Sequence, residues 1–166
     1  LTILAPTLNT TVDYIMYGKT ESEENVKEYR PITRMLPVLT HVQCGSMTNV
    51  RSISPHEIEQ WLPGPPEAGK NGYYLITQGV SNSPYFNDGE FICIDPDVDF
   101  NSVQTGEMIV VCQDDEATFK ALVRDFNKIY LKARNENFQP NIIPLKENAE
   151  YKGKYVGKFT PSKKFI

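Results

Sequence analysis

Between Met35 and Phe159 the chain is a succession of short apolar, β-branched and aromatic runs, broken by clusters of glycine, proline, asparagine and aspartate. Runs of this length, punctuated in this way, predict strands. They fall at Leu36–Val42, Tyr73–Gln78, Phe91–Ile94, Met108–Cys112, Ala117–Asp125 and Lys128–Lys132, with a last strand around Tyr155–Phe159. Asn87-Asp88-Gly89 and Phe126-Asn127 supply hairpin-like breaks, and Asn101 to Gly106 makes a longer connection. Ser54 to Gln60 reads as a helical turn or short helix, and Pro63 to Gly72 as a dense turn region. No internal repeat is present, so the expected architecture is a mainly β domain of several short strands.

Upstream the pattern differs. Leu1, Leu4, Leu8, Val12, Ile15 and Met16 have helical spacing, which Pro6 interrupts; Asn9-Thr10-Thr11 offers an N-cap and Gly18 a C-cap. Residues 19–30 are rich in charge and lack periodicity, as a linker does. The expected division is a helical remnant over 1–19, a linker over 20–34 and the main domain over 35–166, a length that suits one full core. The formal net charge of −4 argues against a broad basic face for nucleic acid. No apolar run approaches the roughly 20 residues of a membrane span, and no signal peptide is visible. The three cysteines, Cys44, Cys93 and Cys112, are spaced unlike a metal or disulfide framework. These features fit a soluble chain in a reducing cytoplasm, with no metal and no cofactor.

Ser81 stands between a strand and a turn, flanked by Gly79 and Pro84, where a hydroxyl can be presented on a rigid scaffold. A serine nucleophile needs a base. His41, in a strand, and His56, in a polar segment, read as structural or solvent-facing. Lys120 is the remaining candidate, because Ala117-Thr-Phe-Lys120-Ala-Leu-Val123 is apolar on both sides of it. Burial lowers a lysine pKa, and a neutral amine can accept a serine proton. The competing reading makes Lys120 an edge-strand lysine with a packed stem and a solvated ammonium. Cys44 before Gly45 reads either as a small buried hydrophobe or as a residue with a special role; Cys93 and Cys112 read as buried hydrophobes. The late lysines 152, 154, 158, 163 and 164 suggest edge-strand gatekeepers, and Trp61 suggests packing.

Three ordered motifs carry a resemblance. Gly79-Val-Ser81-Asn82-Ser-Pro84-Tyr-Phe86-Asn-Asp88-Gly89-Glu resembles the nucleophile segment of the LexA, UmuD and phage CI-type repressors, which are self-cleaving serine peptidases. Ala117-Thr-Phe-Lys120-Ala-Leu-Val-Arg resembles the segment with the family's catalytic lysine, and Val42-Gln-Cys44-Gly45-Ser resembles its cleavage site. Ile94-Asp95-Pro96 and Gly106-Glu-Met-Ile-Val110 also fit, and Leu1 to Lys19 resembles the tail of the preceding helix-turn-helix domain. Val80 stands where the family commonly has Asp or Asn, and Asn82 where it commonly has Met.

The resemblance implies a LexA or signal-peptidase-like β domain in which neutral Lys120 deprotonates Ser81. The serine then attacks the carbonyl of Cys44, backbone donors near Gly79, Asn82 and Pro84 hold the oxyanion, and Gly45 leaves as an amine. It also implies a homodimer or higher oligomer, operator DNA bound through an N-terminal domain mostly absent from this sequence, and cleavage stimulated by the RecA–single-stranded-DNA filament. Two rivals stay open. One is a dimerisation module with a weak or inactive site, controlled by an antirepressor protein; the other is a peptidase acting between chains, like a signal peptidase, for which no membrane segment speaks.

Overall fold

The computed structural model describes residues 34–40 and 54–161. The helical remnant over 1–19, the linker up to residue 33, His41, the Cys44–Gly45 pair, Lys163 and Lys164 lie outside the described residues. Within them the chain forms one nine-stranded sheet and two single-turn 3-10 helices, at Pro55–Glu57 and Phe100–Ser102.

The strands are β1 (Met35–Leu39), β2 (Trp61–Pro63), β3 (Tyr73–Ile76), β4 (Phe91–Asp95), β5 (Met108–Gln113), β6 (Glu116–Asp125), β7 (Lys128–Lys132), β8 (Ile142–Pro144) and β9 (Glu150–Phe159). They lie in the order β2-β1-β3-β4-β9-β5-β6-β7-β8. Only β1 and β3 pair in parallel; the other neighbours are antiparallel. β4 and β5 are buried at every residue, which is why they read as continuous apolar runs rather than as alternation.

The mainly β expectation holds, with corrections in detail. β2 and β8 do not stand out in the sequence, because each is three residues long and closes on a proline. Both are the outermost strands, where a missing N–H costs no ladder bond. Trp61, expected to pack, sits on β2 with 43% of its surface exposed. β9 begins at Glu150, well before Tyr155, because its lysines and Gly153 hide the strand pattern.

Lys152, Lys154 and Lys158 are not edge gatekeepers, since β9 is flanked by β4 on one side and β5 on the other. Lys152, Lys154 and Lys158 instead pair with Glu150 at 2.9 Å, Glu107 at 2.7 Å and Glu90 at 3.2 Å. β9 is therefore the splice of the sheet. It joins a half built from β1 to β4 to a half built from β5 to β8, and the two candidate catalytic residues fall one in each half.

Three clusters fill the core. One gathers Leu39, Tyr73, Phe86, Ile92, Ile94, Met108, Val110, Cys112 and Ala121; a second gathers Leu36, Val38, Leu62, Tyr74, Phe91 and Cys93; a third gathers Val103, Ile109, Val111, Leu122 and Leu131. Cys93 is a free, fully buried thiol whose pKa burial pushes up to about 12. Cys112 is buried as well.

Candidate active site

The Ser81 segment is the connection between β3 and β4. Its neck is closed by the Thr77 N–H donating to Glu90 O and the Gly89 N–H donating to Thr77 O, both at 2.9 Å. Inside the loop, Gly79 has φ +81°, which only glycine adopts without strain, and donates its N–H to Asp88 Oδ1 at 2.8 Å. The Ser83 N–H donates to Val80 O at 3.2 Å and the Phe86 N–H to Asn82 O at 3.0 Å, so Val80 to Phe86 is a coiled, internally bonded turn.

Phe86 anchors that turn to the sheet. Its ring meets Phe119 edge-on at 4.9 Å and Tyr155 at 5.0 Å, tying the loop to both β6 and the splice strand β9. Ser81 is half-buried, Asn82 is buried, and Gly79 and Pro84 are exposed. Ser81 lines a cleft of about 470 Å³ with Leu75, Ile92, Val110 and Phe119, and Thr40, the residue after β1, lines it too.

Lys120 is buried, as its apolar surroundings suggested. It is not on an edge: β6 pairs with β5 and β7, and Lys120 stands opposite Ile109 of β5. Burial holds its pKa below the usual lysine value, partly opposed by the carboxylate of Glu116. Its ammonium lies 5.1 Å from the centre of the Phe138 ring. Lys120 does not line the Ser81 cleft, to which the neighbouring Phe119 contributes instead.

The two segments meet through a third one that the sequence did not single out, residues 133–141. The Asn135 N–H donates to Ser81 O at 2.9 Å and its Nδ2 to Val80 O at 2.9 Å. Asn141 Nδ2 donates to Asn135 O at 2.9 Å, and the Phe138 N–H donates to the same oxygen at 3.1 Å. One short turn thus holds the backbone of Ser81 and sets an aromatic ring against Lys120. Asn82 links the same parts, since its Nδ2 donates to Phe119 O at 2.8 Å and its Oδ1 accepts the Arg134 N–H at 3.0 Å. Polar residues in a loop after the Lys128–Lys132 strand carry no periodic signal, so only the packed structure reveals them.

His56 is exposed, in keeping with a solvent-facing histidine. Among the described residues no group of three or more histidine, cysteine, aspartate or glutamate side chains is arranged to hold a metal ion, and no helix is long and apolar enough to cross a membrane.

Residues 37–156, which include Ser81, Lys120 and the whole cleft, match the family described as Peptidase S24-like. The chain belongs to the Peptidase S24-like family. This is a family of serine peptidases with self-cleaving members of the LexA type, and it agrees with the mainly β sheet. Similar proteins include an HTH-type transcriptional regulator for conjugative element R391 from Providencia rettgeri, 30% identical over 132 residues, covering 75% of this chain and 59% of the relative. A LexA repressor from Leptospira interrogans is 31% identical over 126 residues, covering 74% of this chain and 57% of the relative. The prophage repressor CohE of Escherichia coli is 28% identical over 127 residues, covering 74% and 54%. The chain therefore spans little more than half the length of these relatives.

Proposed function

We propose that this chain is the C-terminal part of a phage-type or mobile-element transcriptional repressor, and that it cuts itself between Cys44 and Gly45 with Ser81 as nucleophile and Lys120 as base. One observation carries the reading: Ser81 and Thr40 line the same cleft. Cys44 follows Thr40 by four residues, and four extended residues reach about 13–14 Å. A tether of that length supports an intramolecular, effectively unimolecular attack on the scissile bond.

In the proposed step Lys120, neutral, takes the proton of Ser81, whose oxygen adds to the Cys44 carbonyl. Backbone N–H groups of the Val80–Phe86 turn stabilise the oxyanion, and the proton passes to the Gly45 amine as the peptide bond breaks. Water then releases the acyl group from Ser81. Burial of Lys120 supports this role, because it favours the amine over the ammonium. Cleavage would part a dimerising domain from a DNA-reading one and release the operator through lost avidity. The RecA filament is the proposed stimulus, and the cytoplasm the proposed location.

A second reading has support in the position of Lys120, which faces Phe138 and stays out of the cleft. In that case the domain dimerises and answers to an antirepressor without cutting. Mass spectrometry of the chain after incubation near pH 10, beside Ser81→Ala and Lys120→Ala, separates the two. Cleavage at Cys44–Gly45 in the parent alone supports the peptidase; an intact parent, with the RecA filament added, leaves the binding module.

A further inference from the structure

β6 and β7 part company just where the candidate dyad lies. Their pairing runs from Asp125↔Lys128 to Ala121↔Lys132, and the next residue, Ala133, gives its N–H to Asn141 O at 2.8 Å instead. On β6 the peptide groups of Leu122 face β5, since its N–H donates to Glu107 O and its carbonyl accepts from Gly106 N–H, each at 2.8 Å. Alternation then turns the Phe119 carbonyl to the β7 side, where no strand remains to meet it.

Asn82 fills that position. Its carboxamide donates to Phe119 O at 2.8 Å and accepts from Arg134 N–H at 3.0 Å, so it is inserted between β6 and the onward chain as a peptide unit of an extra strand would be. The side chain is buried, so the loss of either bond would leave a desolvated polar group. Its backbone neighbour is Ser81, and the residue after Phe119 is Lys120. Asn135, which follows Arg134, holds the Ser81 carbonyl at 2.9 Å.

We infer that Asn82 is a positioning residue that sets Ser81 relative to Lys120 by acting as a side-chain substitute for the missing sheet bond. The inference rests on the Ser81–Lys120 reading above and deepens it. Methionine, common at this position among proteins that the sequence resembles, has no group that can donate to Phe119 O and accept from Arg134 N–H together. The polar residue at position 82 is therefore a built part of this site rather than a mark of its decay.

The test follows self-cleavage of the full 166-residue chain across alkaline pH in the parent, Asn82→Leu, Asn82→Asp and Asn82→Gln, at a temperature where circular dichroism shows each folded. Asn82→Leu keeps the bulk without the bonds and lowers the plateau rate at least tenfold, with the pH midpoint little changed because Lys120 stays buried. Asn82→Asp keeps the acceptor for Arg134 but sets a carboxylate against Phe119 O, and it is slow as well. Asn82→Gln keeps both groups and recovers part of the rate.

Amide exchange by NMR reads the same clamp without cleavage. In Asn82→Leu the Arg134 and Asn135 N–H groups exchange at least tenfold faster, while those of β5 do not change. A parent that cuts and an Asn82→Leu protein that cuts equally fast overturn the inference and leave the dyad standing. A parent that stays intact removes the dyad; unchanged exchange at Arg134 and Asn135 then overturns the clamp also.

Discussion

Gly153 lies in the splice strand β9, at the irregularity where Val110 pairs with Gly153 and Val111 with Tyr151. Its φ is +142°, and a Cβ built there would come 2.5 Å from Ile94 Cγ2 and 2.9 Å from both the carbonyl carbon and oxygen of Asp95. Two of those three atoms are backbone of β4, a fully buried strand, so the neighbours cannot turn aside as a flexible side chain would. Overpacking of a close-packed core costs about 1–3 kcal/mol. A side chain held in an unfavourable φ region adds about 1–3 kcal/mol.

Gly153→Ala is therefore expected to lose about 2–6 kcal/mol, a large part of the roughly 5–15 kcal/mol that holds a domain folded. The damage should also reach the site, because β9 joins the half that carries the Ser81 loop to the half that carries Lys120. Urea unfolding of parent and variant, followed by tryptophan fluorescence and by circular dichroism, measures the loss. A Gly153→Ala protein within about 0.5 kcal/mol of the parent, the scale of an ordinary surface substitution, would refute the reasoning.

Four further outcomes follow from particular contacts. Glu90 is buried and accepts from the Asn87 N–H, Thr160 Oγ1 and Lys158 Nζ, and these bonds, Asn87 first, hold its carboxyl below the usual glutamate value. A depressed folded pKa contributes stability above the unfolded value and loses it as pH falls through the folded one. Glu90→Gln should thus cost about 1.5–3 kcal/mol near neutral pH, with the two urea midpoints converging in acid.

Phe126 is fully exposed at the β6–β7 turn with φ +50°, so Phe126→Asn should raise stability by about 1 kcal/mol, read as a higher Tm. For Lys120 the sign is set by burial: self-cleavage should rise with pH and level off below the ordinary lysine range near 10.4. Phe138→Leu removes a ring face that favours the ammonium by about 0.5–2 kcal/mol, so its profile should move to lower pH. A shift to higher pH would mean that the ring acts mainly by excluding water.

The sequence alone sets the strand character of the chain, because β-branched and aromatic runs between turn residues are local signals that act over a few positions. β7 was legible to the residue, and the two-residue break at Phe126-Asn127 is the turn that closes the β6–β7 hairpin. It also made Ser81 and Lys120 candidates, since a serine in a glycine and proline turn and a lysine among apolar neighbours are local anomalies. What those residues meet depends on the packed fold. Lys152, Lys154 and Lys158 read as edge charges until β9 is seen between β4 and β5, where Lys154 and Lys158 find glutamates on distant segments. Asn82 read as a departure from the family until its amide is seen bridging Phe119 and Arg134, 37 and 52 residues away. Strand character is set by neighbours along the chain, whereas a hydrogen-bond partner is set by whatever the fold brings to the same few ångströms, and no local pattern encodes that.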